Sequence, residues 1–425
     1  MNKYILKARI RDIFNPIGSE TVTLNWIKRF KRLKIVVLPT IDLNYLKLCK
    51  LRSLDKSQIE YNIESLAKNG IEIEDKLLDY YLKCELHKCQ QEIYKKYIID
   101  EIIFDSTIGY DFVIKSFIDL VEIINPWNPV NPFLQVSLKY SRLYLGVLRF
   151  LGTMPISLNF YIRNFIPLSR FLGNITQTIG TLLYANIHNR WAHLIKQNKQ
   201  KVHLITNSYG TLTKTNLKDV PHSVVFPWLA LEINPLKFVS SQKENYAVFY
   251  GRPDPIKGIN EAIKAFKLAR KKGCIDKLYI IGSNLINDVN NNIFSLGWIN
   301  SKEKIYTILS KASVAIYPSL SDNFSISVLE TIGVGTPVVM YHNQSNYEHF
   351  SGSNLVKIVK EFDLEGLVNA ICETVRNRPE LDNYTINLIR THLDWETVTN
   401  NVENAIIQAI EGKIKFDFKH YTFFY

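Results

Sequence analysis

The chain has 425 residues, enough for two or three domains of ordinary size. Its composition, 46% hydrophobic and 22% charged, is typical of a folded protein and excludes wholesale disorder. The formal net charge of +12 indicates a polyanionic partner, which could be nucleic acid, an anionic membrane or a phosphorylated ligand.

The excess positive charge is concentrated in one segment. Residues 123–218 contain 11 basic residues and no Asp or Glu, whereas residues 1–122 carry a net +2 and residues 219–425 a net −1. The charge therefore marks a local basic region and not a diffusely basic protein.

The cysteines and the apolar runs indicate a location. Five cysteines without a CxxC pair fit a reducing compartment better than a disulfide framework. The N-terminus lacks the apolar run of a signal peptide, and no uncharged apolar run reaches the roughly 20 residues of a spanning helix. We expect a cytoplasmic chain that does not cross a membrane.

The first half alternates predicted strands and helices. Strands are predicted at residues 4–10, 34–38, 101–105, 121–124 and 202–206, and helices at 21–33, 57–96 and 110–120. Gly18 lies in the turn between the first strand and the first helix. Such alternation predicts a mostly parallel sheet that is covered on both faces.

The second half repeats this pattern. Strands are predicted at residues 246–250, 277–281, 314–317 and 337–341, and helices at 259–272, with Gly273 as C-cap, 304–309 and 327–332. We therefore predict an α/β fold with two Rossmann-like domains, 1–220 and 221–395, followed by a terminal helix and aromatic tail at 396–425 that pack back on the first domain. Ligands of such sheets bind at the carboxyl ends of strands, so the default site is a cleft between the halves.

A glycine-bounded loop follows the strand at residues 246–250. Gly251 and Arg252 stand at its start, and Lys257 stands at its end, where the next helix opens. Two cations beside a helix N-terminus can converge on a diphosphate, because the backbone N–H groups and the helix dipole also favour an anion. The alternative is a surface turn with solvated charges.

Two carboxylates lie eight positions apart near the strand at residues 314–317. Asp322 lies in the loop after that strand, and Glu330 lies on the following helix. Carboxylates accept hydrogen bonds from vicinal diols, so the pair is suited to the hydroxyls of a sugar and of a ribose. Alternatively, Asp322 is an N-cap and Glu330 an exposed helix residue.

Together these segments resemble glycosyltransferase family 4 of the GT-B superfamily. The resemblance extends over residues 246–342, where the motifs occur in the order and at the spacing of that family. They are the Gly-Arg…Lys-Gly loop, the Gly297-Trp298-Ile299 turn, the Pro318-Ser319 strand end, the carboxylate-x7-Glu motif and the Gly-x-Pro-Val-Val strand. The resemblance implies a GT-B fold, in which two Rossmann-like domains face a central cleft.

The resemblance also implies roles for individual residues. Arg252 and Lys257 would stabilise the leaving diphosphate, and Asp322 would bind the donor sugar. Further donor contacts would come from Gly18, Gly251, the backbone near Phe324 and Ser325, Trp298 and Ile299 beside the base, and Glu330 at the ribose. The family retains anomeric configuration and needs no metal or other cofactor, since its co-substrate is a nucleotide-diphosphate sugar such as a UDP-, GDP- or ADP-sugar.

The chain departs from the family pattern at four places, one of which is the Gly282-Ser283-Asn284 turn, where a second Gly is often found. Asp322 replaces the commoner Glu, and the loop at Gly18 has one glycine in place of two. A histidine that lines the cleft is not assignable, since His188 and His193 are more readily explained as surface or packed residues.

Residues 139–171, within the basic segment, interleave basic and aromatic residues without acids. This pattern suits an anionic membrane surface, and it predicts peripheral docking on the cytoplasmic face beside a glycan, lipid-linked or protein acceptor. The alternative is that the apolar residues pack on the sheet. Nothing resembles a module that reads nucleic acid, so we expect no such partner.

These observations predict a retaining, metal-independent glycosyltransferase that uses a nucleotide-diphosphate sugar. The single glycine in the loop at Gly18 and the unassigned histidine favour an alternative function, that of a catalytically silent GT-B protein that binds a glycan or a membrane as a scaffold.

Overall fold

The computed structural model describes residues 4–11, 19–40, 64–68, 71–73, 103–105, 111–114, 196, 202–214, 217–251, 257–283, 288–319, 322 and 324–411. These residues divide into two compact units. The first takes the residues up to Leu229 together with the last helix from Glu396, and the second takes Ala230–Trp395.

The first unit is built on a seven-stranded sheet with the order β3-β2-β1-β4-β5-β6-β7. Its strands are β1 (Tyr4–Arg11), β2 (Leu33–Thr40), β3 (Glu72–Ile73), β4 (Ile103–Asp105), β5 (Asp111–Ile114), β6 (Val202–Thr206) and β7 (His222–Val224). Its helices include α1 (Ser19–Ile27) and α2 (Tyr209–Lys214). The predicted strands at residues 4–10, 34–38, 101–105 and 202–206 are confirmed.

The predicted helix at residues 110–120 is wrong at its start. Residues Asp111–Ile114 form β5, which pairs antiparallel with both β4 and β6, while the other pairings of the sheet are parallel. Phe112, Val113 and Ile114 are aromatic or β-branched residues that suit a pleated strand, and the ladders to two neighbours outweigh a weak helical periodicity. The predicted strand at residues 121–124 and the segment at 139–171 lie outside the described residues.

The last helix, Trp395–Glu411, is held to the sheet of the first unit by a buried carboxylate. Glu403 Oε1 accepts hydrogen bonds from the backbone N–H groups of Arg32 at 2.6 Å and Leu33 at 2.9 Å, and Oε2 accepts one from Arg32 Nε at 3.2 Å. The Glu403 side chain is buried, so these contacts replace its hydration where β2 begins.

The second unit is built on a six-stranded parallel sheet with the order β10-β9-β8-β11-β12-β13. Its strands are β8 (Glu244–Tyr250), β9 (Lys277–Ile281), β10 (Ile293–Gly297), β11 (Ala312–Tyr317), β12 (Val338–Tyr341) and β13 (Val356–Val359). Its helices include α3 (Ile259–Lys271), α4 (Lys302–Lys311), α5 (Ile326–Gly333), α6 (Gln344–Phe350), α7 (Leu364–Asn377) and α8 (Asn383–Thr391), and α9 (Trp395–Glu411) follows. The strands and helices predicted here are confirmed, with ends that differ by a few residues.

The order of the second sheet decides which loops lie together. β8 and β11 are adjacent at its centre, with Val248 opposite Ala315 in the register, so their carboxyl ends emerge side by side. Their apolar residues are fully buried, as expected for central parallel strands. Tyr250 ends β8 and Tyr317 ends β11, which brings the loop before α3 next to the loop before α5.

The structure corrects two further expectations. Cys274 and Cys372, 98 residues apart, are joined by a disulfide, because α3 and α7 pack together and bring the Cα atoms within 5.1 Å. The inference of a reducing compartment, which is based on five cysteines without a CxxC pair, therefore loses its support from the cysteines. Gly273, predicted as the C-cap, follows the cap residue Lys272 and takes a left-handed conformation with φ of 73°.

The described residues hold no membrane-spanning candidate, since none of their helices combines the length and the apolar character that crossing a bilayer requires.

Candidate functional site

A buried ion pair lies where β8 and β11 end. Lys257 Nζ donates to Asp322 Oδ2 at 2.6 Å, and both side chains are about nine-tenths buried, with 11% and 10% of their surface exposed. Tyr317 completes the cluster: its hydroxyl donates to the same carboxylate oxygen at 2.5 Å and accepts from Lys257 Nζ at 3.3 Å. Two predicted site residues are thus brought together by a tyrosine that the sequence analysis did not single out.

Gly258 makes this arrangement sterically possible. It is the N-cap of α3 with a φ of 75°, a left-handed conformation that favours glycine. A Cβ atom at this position would lie 2.1 Å from the carbonyl oxygen of Pro318, the residue after β11. The close approach of the two loops therefore requires glycine and holds Lys257 against Tyr317 and Asp322.

Tyr317 stays protonated in this environment. Its complete burial raises the pKa of its hydroxyl, and the charge of Asp322 raises it further, against the opposing effect of Lys257. The hydroxyl is therefore a permanent donor to Asp322. Both donors bind Oδ2, so these two contacts leave the second carboxylate oxygen of Asp322 unused.

A second carboxylate cluster surrounds Glu330 on α5. This side chain is only 2% exposed, and its Oε1 accepts hydrogen bonds from Lys302 Nζ at 2.5 Å and from the Tyr306 hydroxyl at 3.1 Å. Lys302 Nζ also donates to the Tyr250 hydroxyl at 3.0 Å. Glu330 Oε2 is buried and has no hydrogen-bond partner among the described residues.

The tyrosines of this cluster are held neutral. Burial first, and then the negative charge of Glu330, raise the pKa of Tyr250 and of Tyr306 well above the ordinary value. The Glu330 carboxylate thus lies beside one lysine ammonium group and two neutral tyrosine hydroxyls. A buried carboxylate oxygen without a partner is costly unless a ligand or water hydrogen-bonds to it.

The start of α5 is fixed by a buried amide. Ser325 is the N-cap, and its hydroxyl accepts from the Val328 N–H at 3.3 Å. The backbone N–H of Ser325 donates to Asn346 Oδ1 at 3.1 Å, so it already has a protein acceptor. Phe324 packs beside His349 and His392, with ring centroids 4.9 Å and 5.0 Å away. The predicted phosphate contact through Ser325 N–H therefore has a competitor, which sequence reasoning missed.

The remaining predicted donor contacts lie at neighbouring strand ends. The Gly251 N–H donates to the carbonyl oxygen of Ile281, where β8 and β9 finish. Trp298 follows β10 and is 71% exposed, while Ile299 packs against the hydrophobic cluster that contains Tyr306. Arg252 and Gly18 lie outside the described residues, as do His188 and His193.

The alternatives for the carboxylates are decided by these contacts. Asp322 is not the N-cap of α5, because Ser325 fills that position, and Glu330 is buried and not an exposed helix residue. Lys257 is buried and paired and not a solvated surface charge. Within the described residues, no group of three or more His, Cys, Asp or Glu side chains is placed to hold a metal ion.

Lys302 is the main site residue that the sequence analysis missed. The predicted helix began at residue 304, whereas α4 begins at Lys302 after an N-cap, Ser301, whose hydroxyl accepts from the Lys304 N–H. A serine before the first apolar residues is a recognised start signal, and reading it would have put Lys302 at the first helical position. Its partner Glu330 is 28 residues away, which no spacing rule predicts.

Comparisons with known proteins agree with this geometry. Residues 232–390 match the model of the family described as Glycosyl transferases group 1. This stretch covers most of the second unit, including Lys257, Lys302, Asp322 and Glu330. A search of the curated proteins finds no match.

Solved structures of similar fold span nearly the whole chain. A glycosyltransferase from Rickettsia africae has a TM-score of 0.53 at 12% identity, with 97% of this chain and 100% of that chain covered. Sucrose-phosphate synthase from Thermosynechococcus elongatus has a TM-score of 0.52 at 12% identity, with 96% and 100% covered. HepE from Anabaena, crystallised with UDP and glucose, has a TM-score of 0.51 at 13% identity, also with 96% and 100% covered.

At these identities the structural likeness shows the fold alone, which is α/β of the GT-B type with parallel-stranded sheets. The family match adds the class that the second unit resembles: residues 232–390 match the glycosyl transferases group 1 domain.

Proposed function

We propose that the protein transfers a sugar from a nucleotide-diphosphate donor to an acceptor, with retention of anomeric configuration and without a metal ion. The observation that carries this proposal is the buried Lys257–Asp322 pair at the carboxyl ends of β8 and β11, inside the segment that matches the family model. Retention and metal independence are supported by the resemblance of residues 246–342 to family 4.

Lys257 supplies the electrostatic part of the reaction. Its ammonium group is held by the Asp322 carboxylate and the Tyr317 hydroxyl, so its positive charge lies at a fixed point beside the diphosphate of the donor. When the bond between the sugar and the diphosphate breaks, negative charge grows on the leaving phosphate oxygen, and a cation already fixed in place stabilises it without reorganisation. Arg252 is the second cation for this step.

Asp322 orients the donor sugar. Its Oδ2 is occupied by Lys257 and Tyr317, and its other oxygen accepts a hydrogen bond from a sugar hydroxyl. The carboxylate thus links the position of the sugar to that of the cation at the leaving group, which is the alignment that lowers the entropic part of the barrier.

The nucleoside is bound through Glu330 and the turn after β10. The free Oε2 of Glu330 accepts hydrogen bonds from ribose hydroxyls, and the exposed Trp298 offers a flat face to the base. HepE was crystallised with UDP, so UDP-sugars are the first donors to test, followed by GDP- and ADP-sugars.

A nucleotide screen tests this function. The thermal midpoint of the full chain is measured with UDP, GDP and ADP, and hydrolysis and transfer are then followed with the matching sugar nucleotides. We expect one base to raise the midpoint, Lys257→Met and Arg252→Ala to abolish the rise, and Lys271→Met, an exposed position on α3, to preserve it. If no nucleotide stabilises the wild type and no donor is consumed, the scaffold function is correct and the enzymatic one is not.

Stereochemistry and metal use need separate measurements. Retention predicts that NMR of the first product shows the same anomeric configuration as the donor. Metal independence predicts full activity in EDTA. An inverted product or an EDTA-sensitive rate would refute the corresponding part of the proposal.

We also propose that residues 139–171 hold the enzyme at an anionic membrane surface, beside a lipid-linked acceptor. Support comes from sequence: the surrounding segment has basic residues without acids, and each basic residue near such a surface adds about 1 kcal/mol. Flotation with anionic and neutral liposomes at low salt tests the proposal. Binding to anionic vesicles alone is expected, and no binding to either would refute it.

A further inference from the structure

Lys302 occupies a position that helix electrostatics disfavour. It is the first residue of α4, where the partial positive charge of the helix N-terminus repels a cation. The next residue, Glu303, has the charge that this end of a helix favours. A residue that contradicts its local environment calls for a compensating interaction elsewhere.

The compensating interaction is the contact with Glu330. Lys302 extends from the half-exposed helix start, with 41% of its side chain accessible, to the almost fully buried carboxylate. Its ammonium group donates to Glu330 Oε1 at 2.5 Å and to the Tyr250 hydroxyl at 3.0 Å, and it lies 5.7 Å from the centre of the Tyr250 ring. Three elements, β8, α4 and α5, thus meet at this one cation.

The two carboxylate oxygens of Glu330 differ in their contacts. Oε1 is bound from two sides, by Lys302 and by the Tyr306 hydroxyl, and this fixes the orientation of the carboxylate plane. Oε2 is buried and without a partner among the described residues. A carboxylate anchored at one oxygen and open at the other is preorganised as an acceptor for a ligand hydroxyl.

We infer that Lys302 is a positioning residue for donor recognition: it holds the Glu330 carboxylate oriented so that the free Oε2 selects ribose over deoxyribose in the nucleotide. This inference rests on the proposed function. Lys302 acts through Glu330 and does not itself need to touch the donor.

Without the ammonium group, the buried carboxylate would lack a counter-charge. A buried carboxylate without a counter-charge turns toward water, and it is then poorly placed to accept hydrogen bonds from the ribose hydroxyls. Two neutral tyrosine hydroxyls cannot replace the cation. Arginine can, because it keeps the charge and offers several N–H donors.

Calorimetric titration of the full chain tests the inference. The probe is whichever of UDP, GDP and ADP binds the wild type best, compared with its 2′-deoxy and 3′-deoxy forms. We expect the wild type to prefer the ribonucleotide by about 10-fold to 100-fold, the range for a hydrogen bond to a charged group. Lys302→Met should lower this preference to about 3-fold or less by weakening the ribonucleotide alone.

Two further variants show whether the effect is specific. Lys302→Arg should restore most of the preference, and Lys304→Met, which removes an exposed lysine from the same helix, should leave it unchanged. A loss of affinity that is equal for ribo- and deoxyribonucleotides would mark a general structural or electrostatic effect and overturn the inference. So would an unchanged preference in Lys302→Met, or a wild type without preference. If no nucleotide binds the wild type, the proposed function itself fails.

Discussion

Replacing Gly258 by alanine tests whether the close approach of two loops builds the candidate site. The added Cβ would lie 2.1 Å from the Pro318 carbonyl oxygen and 2.8 Å from its carbon, distances that real Cβ atoms essentially never show. Backbone atoms cannot turn aside as a flexible side chain can, so α3 must move away from β11. Lys257, the residue before Gly258, would move with it.

The same helix offers a matched control. Gly273 follows α3 with a φ of 73°, close to the 75° of Gly258, but a Cβ there meets no heavy atom within 4 Å among the described residues. Gly273→Ala therefore carries only the cost of a left-handed alanine, about 1 kcal/mol. Gly258→Ala adds the steric conflict, about 1–3 kcal/mol, so we expect a total loss of about 2–4 kcal/mol.

Equilibrium urea unfolding of the full chain measures both variants, and nucleotide titration reports the site. Gly258→Ala should lose more stability than Gly273→Ala and should also lose donor affinity, because Lys257 no longer meets Asp322. Equal destabilisation of the two variants would refute the steric argument. Normal donor binding by a destabilised Gly258→Ala would refute the link between this glycine and the site.

Three other perturbations have defined outcomes. Lys257→Met and Asp322→Asn should each lower the free energy of unfolding in urea by about 3 kcal/mol, because each leaves its buried partner unpaired. The double variant should lose about 2 kcal/mol less than the sum of the two single losses. Strict additivity would mean that the two side chains are not energetically coupled. Burial lowers the pKa of Lys243 from 10.5 to about 8, so between these pH values the folded chain has released a proton that the unfolded chain keeps. As the pH rises from 8 to 10.5, the free energy of unfolding of the wild type should increase by about 2 kcal/mol relative to Lys243→Met, after allowance for partial exposure. A difference between the two proteins that does not change with pH would contradict this. Glu403→Gln should lower the free energy of unfolding by about 2 kcal/mol, since the carboxylate binds two backbone N–H groups and Arg32 Nε. Glu396→Gln, which removes an exposed pair with Lys31, should lower it much less, and equal losses would show that burial of Glu403 does not matter.

The second unit was predictable because its strands and helices are locally unambiguous. Residues 259–272 have apolar side chains on one face, and the structure has Ile259–Lys271 as a helix with that face buried. The apolar run before Pro318 likewise predicts a central strand, β11. Lys257, Asp322 and Glu330 follow from these elements, since parallel strands put their carboxyl ends at one edge.

What the sequence left undetermined depends on contacts between distant residues. Tyr317 and Lys302 belong to the site only because β8 lies beside β11 and α4 lies beside α5, relations that follow from the sheet order. The antiparallel β5 and the Cys274–Cys372 disulfide also depend on contacts between residues far apart in the sequence. β5 pairs with β6, and the disulfide requires that α3 pack against α7. Local periodicity contains no information on either.

The two carboxylates of the candidate site are each paired with a lysine, and this pairing affects how an anionic donor would be attracted. Asp322 is paired with Lys257 and Glu330 with Lys302, so each buried charge is balanced within 3 Å. The surrounding residues 219–425 carry a net charge of only −1. Paired charges cancel at a distance, so in the proposed function a diphosphate would be bound by short, directed hydrogen bonds and not by a broad positive field. The positive charge of the chain is concentrated in residues 123–218, and the proposed membrane docking, not donor binding, would use it.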